Sequence, residues 1–334
     1  MASVRGGGEG RRLQQGPGRG TQRAAPVREQ AAGARYACLE TALIDESIND
    51  GTRQEETNLL AAAVQLNSTE DRDRNLGAAD RLVRLAAARG ARLVVLPEKF
   101  NRLCEDDVMA AGAEALDGPT ARWGSALAAD LGIDLVAGSF VELADDDRRF
   151  NTSIHFGPDG ERRAVYRKLH LFDVEVGGTV YRESSTITPG EKIASSELAD
   201  GHGLGLSVCY DLRFPELYRI LALHDAHVVS VPAAFTLTTT RDHWEVLLRA
   251  RAVENACFIV AANQIGVHPP GNRSGGRSMI VDPWGLVVAQ TSDRLDGLAI
   301  ADLDWERLAQ VRASLPALQH RHARAYRWPQ EALT

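Results

Sequence analysis

Nowhere in the 334 residues does an apolar run approach the length needed to cross a bilayer, so no membrane-spanning helix is expected. Cysteine is scarce: Cys38, Cys104, Cys209 and Cys257 show neither paired nor metal-ligand spacing. Free thiols in a reducing cytoplasm are therefore expected, with no disulfide framework, no metal site and no cofactor. There is no excess of positive charge either, and a net charge of −7 argues against non-specific nucleic-acid binding. No internal repeat is visible. The N-terminus lacks the apolar segment of a secretory leader, and its hydroxyl residues are few for a transit peptide.

What is present fits a one-domain enzyme. A chain of this length with 44% hydrophobic and 25% charged residues can bury a large core. Residues 1–57 form a Gly/Arg-rich extension, from Gly6-Gly7-Gly8 through scattered arginines to an acidic patch around Asp45 and Glu56, with almost nothing to bury; disorder is expected there. It reads either as an upstream start or as a basic arm for an acidic partner. A catalytic domain is expected over 58–315 and a short tail over 316–334.

From Leu59 onward strands and helices alternate. Strands are expected at Leu59–Leu66, Ala91–Glu98, Ile133–Val141, Phe150–Phe156, His227–Pro232 and Cys257–Ala262, and helices at Leu76–Arg89, Pro215–Leu223 and Arg241–Asn255. A hairpin is expected around Asp282-Pro283-Trp284-Gly285. Strands apolar on both faces must be covered by helices, so the fold class is α/β.

The chemistry concentrates at strand ends. Leu204, Leu206 and Val208 lead to Cys209, and Pro215 is suited to open the next helix, so the thiol sits on a corner near a helix N-terminus that could hold part of it as thiolate. Taken alone, Cys209 reads equally as a small buried hydrophobe. A thiol of ordinary pKa needs a base, and Glu98, just after Pro97 at a strand tip, is placed to be one. Lys168 brings a cation to the same kind of position at the end of Arg163–Arg167.

Leu96-Pro97-Glu98-Lys99-Phe100, Tyr166-Arg167-Lys168-Leu169-His170-Leu171-Phe172 and Val208-Cys209-Tyr210-Asp211-Leu212-Arg213-Phe214-Pro215-Glu216 resemble the three signature segments of the nitrilase superfamily of carbon–nitrogen hydrolases, in the family's order. Pro232-Ala233-Ala234-Phe235-Thr236, His243–Arg251 and Ser278–Gly285 resemble further segments of it, and the likeness runs from about Leu59 to about His320. The resemblance implies a four-layer αββα sandwich. It also implies a triad of Glu98 as general base, Lys168 as oxyanion-stabilising cation and Cys209 as nucleophile, with the backbone N–H of Tyr210 as a second oxyanion donor. Glu183, in Arg182–Gly190, resembles the family's second glutamate and is preferred to Glu175.

Arg213 stands where the family often binds a substrate carboxylate, and it reads equally as a salt bridge to Glu216 or Asp211. Phe235 and Thr239 stand where related ω-amidases line the same subsite. Thr240 replaces the glycine common after that threonine. His170 reads as structural rather than as a base for Cys209, and His320 and His322 as solvated tail. The resemblance therefore implies a cytoplasmic amidase, homodimeric or larger, that uses water to cleave a small linear amide bearing a carboxylate to acid and ammonia through a Cys209 thioester. Its nearest branches act on deaminated glutathione or as ω-amidases. N-Carbamoyl amino acid hydrolysis and a non-catalytic binding module on this fold are the alternatives.

Overall fold

The computed structural model describes residues 58–327 apart from 177. The extension expected over 1–57, with Cys38, and the end of the tail lie outside the described residues. In chain order the strands are β1 (Asn58–Gln65), β2 (Leu93–Val95), β3 (Asp134–Val136), β4 (Phe140–Leu143), β5 (Arg149–Phe156), β6 (Arg162–Arg167), β7 (Asp173–Val176), β8 (Thr179–Arg182), β9 (Ser195–Glu197), β10 (Gly203–Leu206), β11 (Ala226–Ala233), β12 (Phe258–Asn263), β13 (Ile265–His268), β14 (Asn272–Gly275), β15 (Met279–Val281), β16 (Val287–Gln290) and β17 (Gly297–Asp304). The main helices are α1 (Arg72–Ala88), α2 (Asp106–Ala111), α3 (Pro119–Leu131), α4 (Pro215–Leu223), α5 (Glu245–Asn255) and α6 (Trp305–Ser314).

Two sheets carry the fold. One runs β17-β1-β2-β3-β5-β4 with β6 on β5, and the other runs β16-β15-β12-β11-β10-β9. Within them β1–β2–β3 and β10–β11–β12 are parallel. Alternation along the strands separates the layers, because successive side chains point to opposite faces. Ala61 and Ala63 of β1 and Leu93 and Val95 of β2 join Leu204, Leu206 and Val229 of the second sheet in one core. Ala62, Val64 and Val94, one residue out of phase, face Ala79, Leu82, Val83 and Ala86 of α1 and Leu127 of α3. Leu217, Leu221 and Leu248 of α4 and α5 pack with the second sheet. The result is the helix–sheet–sheet–helix sandwich expected.

Local chemistry sets the element ends. Asp71 caps α1 by accepting from the Arg74 N–H, so the helix starts four residues before the expected Leu76, with its apolar stripe unchanged. Pro215 opens α4 as expected. Two expectations are corrected. The single strand over Ile133–Val141 is two strands, broken at Gly138, whose φ of +45° and close approach to the Pro97 carbonyl leave no room for a Cβ. The helix over Arg241–Asn255 is regular only from Glu245; Thr240–Trp244 form a wider π turn.

Candidate active site

The site forms beyond the carboxyl ends of parallel strands, the usual place for ligands in such sheets. Glu98 follows β2, Cys209 follows β10, and Ala234 and Phe235 follow β11. Lys168 directly follows β6, and Asn151 lies on β5. All four ionisable or nucleophilic groups anticipated there, Glu98, Lys168, Glu183 and Cys209, are buried.

Lys168 Nζ donates to Glu98 Oε1 at 2.9 Å and to Glu183 Oε2 at 2.8 Å. Asn151 Nδ2 donates to Oε1 of both carboxylates, at 2.8 and 3.0 Å. The second oxygen of Glu98 accepts from the Ala234 N–H at 2.9 Å, and Glu183 accepts from the Phe172 N–H at 2.9 Å. Lys99 adds a second ammonium 3.3 Å from Glu183 Oε1. Glu175 lies exposed on β7, so the glutamate beside Lys168 is Glu183.

These neighbours decide the protonation states. Burial alone would favour neutral Lys168, but the charges of Glu183 and Glu98 hold its pKa well above the ordinary lysine value. Burial likewise pushes Glu183 up, and the ammonium groups of Lys168 and Lys99 outweigh it, holding this carboxyl far below the ordinary range. Cys209 goes the other way. Burial, then the charge of Glu98, raises its thiol well above the ordinary value, and Lys168 offsets only part of this. The expectation of a partly ionised resting thiol is therefore corrected. The thiol is neutral in the resting protein.

Backbone geometry fixes the nucleophile's corner. Cys209 has φ +52°, a left-handed conformation that costs a non-glycine residue about 1–2 kcal/mol, and the short turn Cys209–Arg213 holds it there. Fully buried Asp211 ties the corner down: its carboxylate accepts from the Val208 N–H at 2.9 Å, the Tyr166 hydroxyl at 2.7 Å and the His170 N–H at 3.2 Å. His170 Nδ1 also lies 2.7 Å from Asp211, and its ring stacks on Phe214, so this histidine braces the turn instead of facing the thiol. Arg251 donates twice to the Leu212 carbonyl from α5.

Glu98, Lys168, Glu183, Cys209, Tyr210, Arg213, Phe235 and Thr239 all line one open cleft. Arg213 pairs with no carboxylate among the described residues. Its guanidinium meets His243 Nδ1 at 3.2 Å and lies over the rings of Tyr210 and Phe235. The salt bridge to Glu216 or Asp211 weighed as its alternative does not form, because Asp211 is engaged with the elbow. Thr240, unusual for its position, donates to the Phe235 carbonyl at 3.1 Å and packs where Gly275 leaves space for it.

Sequence reasoning missed Lys99, Asn151, and Asp211 as an anchor. Asn151 stood among other polar residues of its strand, Thr152, Ser153 and His155, so nothing local singled it out; Lys99, directly after Glu98, was indistinguishable from a surface charge. Among the described residues Cys104, Cys209 and Cys257 are free, no His, Cys, Asp or Glu group could hold a metal ion, and no helix is long and apolar enough to cross a membrane. A thiol, a carboxylate and a fixed ammonium are the kinds of group that acyl transfer from an amide requires.

Residues 60–313 match the carbon-nitrogen hydrolase family. The chain is 42% identical over 266 residues to the deaminated glutathione amidase of Synechocystis sp., covering 78% of this chain and 97% of that one. It is 36% identical to the ω-amidase Nit2 of Danio rerio, over 79% and 95% of the two chains. The crystal structure of Saccharomyces cerevisiae Nit3, a member of branch 10 of the nitrilase superfamily, superposes with a TM-score of 0.73 at 32% identity, covering 80% of this chain and 97% of that one. The protein is thus an amidase-type hydrolase of carbon–nitrogen bonds other than peptide bonds, and it belongs to the carbon-nitrogen hydrolase family of the nitrilase superfamily.

Proposed function

We propose that the chain hydrolyses a small linear amide bearing a carboxylate, through a thioester on Cys209, with Glu98, Lys168 and Cys209 as the catalytic triad and Glu183 as its supporting carboxylate. The observation that carries this reading is the contact of Lys168 with both glutamates beside a neutral buried thiol. Lys168, held as ammonium, cannot be the base, so the proton of Cys209 goes to Glu98 as sulfur attacks the carbonyl carbon. The oxyanion is met by Lys168 and the Tyr210 N–H. Glu98 then returns the proton to nitrogen, the C–N bond breaks and the amine leaves. Water attacks the thioester, giving its proton to Glu98, and the departing thiolate recovers it.

Arg213, unpaired with protein carboxylates, takes the substrate's carboxylate, and Phe235, Tyr210 and Thr239 line the acyl chain. Relatives named deaminated glutathione amidase and ω-amidase favour a dicarboxylic monoamide. A deaminated glutathione has only secondary amides, so with that substrate an amine leaves in place of ammonia. The reading includes a cytoplasmic location, domain limits at 58 and 315, and a homodimer or larger assembly. Exposed Val246 and Val253 on α5, with Trp284 and Leu286, offer a face for assembly.

The test is a panel of deaminated glutathione, α-ketoglutaramate and N-carbamoyl amino acids, assayed for both the released acid and the released nitrogen compound. Turnover of one of the first two, lost in Cys209→Ala, is expected. Hydrolysis confined to N-carbamoyl amino acids would replace the substrate assignment, and no turnover of any amide would favour a binding module.

A further inference from the structure

The groups of the proposed reaction come from different sheets. Glu98 and Lys168 follow β2 and β6 of the first sheet, whereas Cys209 and Ala234 follow β10 and β11 of the second. Between the sheets lies a core of apolar side chains, whose attraction is non-directional and does not by itself fix the carboxylate against the thiol. A misplacement of about 1 Å costs up to about 10²-fold in rate, so directional contacts at this end of the sandwich bear on the chemistry.

Gln264 supplies such contacts. It directly follows β12 in the second sheet, is fully buried and does not line the cleft. Its side chain crosses to the first sheet: Nε2 donates to the Glu98 carbonyl at 2.9 Å and to Ser68 Oγ at 2.8 Å, and Oε1 accepts from the Ser68 N–H at 3.0 Å. Both amide donors are thus used. Ser68 Oγ passes the contact on by donating to the Phe100 carbonyl at 2.8 Å. The carbonyls on either side of Lys99 are therefore held, and Lys99 has φ +50°, a left-handed conformation that a lysine keeps only where its surroundings impose it.

The main chain of Gln264 reaches Glu98 as well. Its N–H donates to the Ala233 carbonyl at 2.9 Å, and the next residue, Ala234, donates its N–H to Glu98 Oε2 at 2.9 Å. A closed ring results, in which Glu98 is tied to the second sheet once by its carboxylate and once by its carbonyl. The carboxylate bond changes character whenever Glu98 takes a proton. The carbonyl bond does not, so it can keep the residue in place through the whole cycle.

Resting on the amidase reading above, we propose that Gln264 is a positioning residue, which fixes the Glu98 carboxylate against the Cys209 thiol from across the sandwich and touches neither the thiol nor the substrate.

The test is Gln264→Met, an unbranched side chain that removes the bonds to Glu98 and Ser68. With the amide accepted in the panel above, kcat should fall by about 10- to 100-fold while KM stays within about threefold. In a Glu98→Gln background the same substitution should change kcat by less than about threefold, because the group it acts through is already lost. Ser196→Ala is the control. It removes another hydrogen bond between the sheets, from Ser196 Oγ on β9 to His155 Nδ1 on β5 at 2.9 Å, neither of which lines the cleft, and it should keep kcat. A second readout needs no substrate. Thiolate absorbance assigned to Cys209 by difference from Cys209→Ala should rise at lower pH in Gln264→Met than in the wild type, as the Glu98 charge that raises the thiol moves off. That shift should vanish in the Glu98→Gln background.

A wild-type kcat in Gln264→Met overturns the proposal. So does an equal fold-loss with and without Glu98, or an equal loss in Ser196→Ala; either makes Gln264 part of the scaffold alone. Should Gln264→Met not fold, Ser68→Ala removes the Oγ that joins Gln264 to the Phe100 carbonyl. There kcat should fall by about 3- to 10-fold, again only with Glu98 present, and an unchanged kcat overturns the proposal equally. Absence of any Cys209-dependent turnover would be a failure of the amidase reading. The thiol titration still decides on Gln264 in that case, and an unshifted thiol overturns its role.

Discussion

Lys168 Nζ lies 2.9 Å from Glu98 Oε1 although 70 residues separate them, and neither group has appreciable access to bulk water. A buried ion pair of this kind gives little net stability, because desolvation cancels much of the attraction; breaking it by removing one partner is costly. Its value here is positional: it keeps a cation and a carboxylate together in the cleft that holds the Cys209 thiol.

Cys209→Ala should abolish turnover and leave the melting temperature close to that of the wild type, since a small side chain is exchanged at the corner. Wild-type protein mixed with a slowly hydrolysed amide should show a mass increase equal to the acyl group, on the peptide containing Cys209. Cys104→Ala and Cys257→Ala should keep kcat. Loss of turnover in Cys257→Ala with activity retained in Cys209→Ala would end the thioester mechanism.

Glu98→Gln should separate two properties of one carboxylate. Turnover should fall by roughly 10²–10⁴ because an amide cannot take the thiol proton. The thiol itself should ionise at lower pH than in the wild type, because the negative charge that raises it has gone while Lys168 remains. Ultraviolet thiolate absorbance followed against pH measures this. A thiol titrating higher in the variant would show that Glu98 does not act on it.

Lys168→Met should lower kcat by about 10²–10³, the usual cost of losing an oxyanion donor. Together with Glu98→Gln the losses should be far from additive, since the groups act as a unit. Near wild-type kcat in either single variant would remove that residue from the triad.

The same cluster predicts the dependence of stability on pH. Glu183 has its folded pKa depressed, so its contribution is complete above the unfolded value of about 4.3 and is lost as pH falls towards the folded one. Lys168 is raised, so its contribution is complete below about pH 10.4 and is lost as pH rises through the folded value. Denaturant midpoints should therefore show no slope from these two groups between about pH 5 and 10. Glu183→Gln should flatten the acid limb; an unchanged acid limb in that variant would assign it to other carboxylates.

Asp211→Ala should be among the most damaging substitutions outside the triad. It leaves the Tyr166 hydroxyl, the Val208 N–H and the His170 N–H without their acceptor, three buried or half-buried donors at about 1–3 kcal/mol each before relaxation. We expect a loss of about 3–5 kcal/mol, read from denaturant midpoints, with reduced kcat as the elbow loosens. Tyr166→Phe should cost about 1 kcal/mol. Arg213→Ala, with no protein carboxylate to orphan, should raise KM for a carboxylated amide by about 100-fold while leaving the melting temperature unchanged. An equal fall on an uncharged amide would make Arg213 part of the scaffold.

The sequence by itself determined the layers and the three signature corners. The apolar run Leu59–Leu66 must be covered on both faces, strand geometry puts Ala61 and Ala63 on one and Ala62 and Val64 on the other, and Pro215 dictates where a helix opens after Cys209. Such signals are local, set by strand geometry and by the missing N–H of proline, so they survive without any knowledge of partners. Glu98, Lys168 and Cys209 were legible because each ends an apolar run or belongs to a distinctive string. The tertiary structure alone decided what each group does to the next. That the thiol rests protonated, that Asp211 braces the elbow and so leaves Arg213 unpaired, that Asn151 bridges two carboxylates, and that Lys99 points into the cleft all depend on atoms far apart in sequence. Proton affinities and hydrogen-bond partners follow from burial and from charges a few ångströms away, and neither distance is encoded in the spacing of residues along the chain.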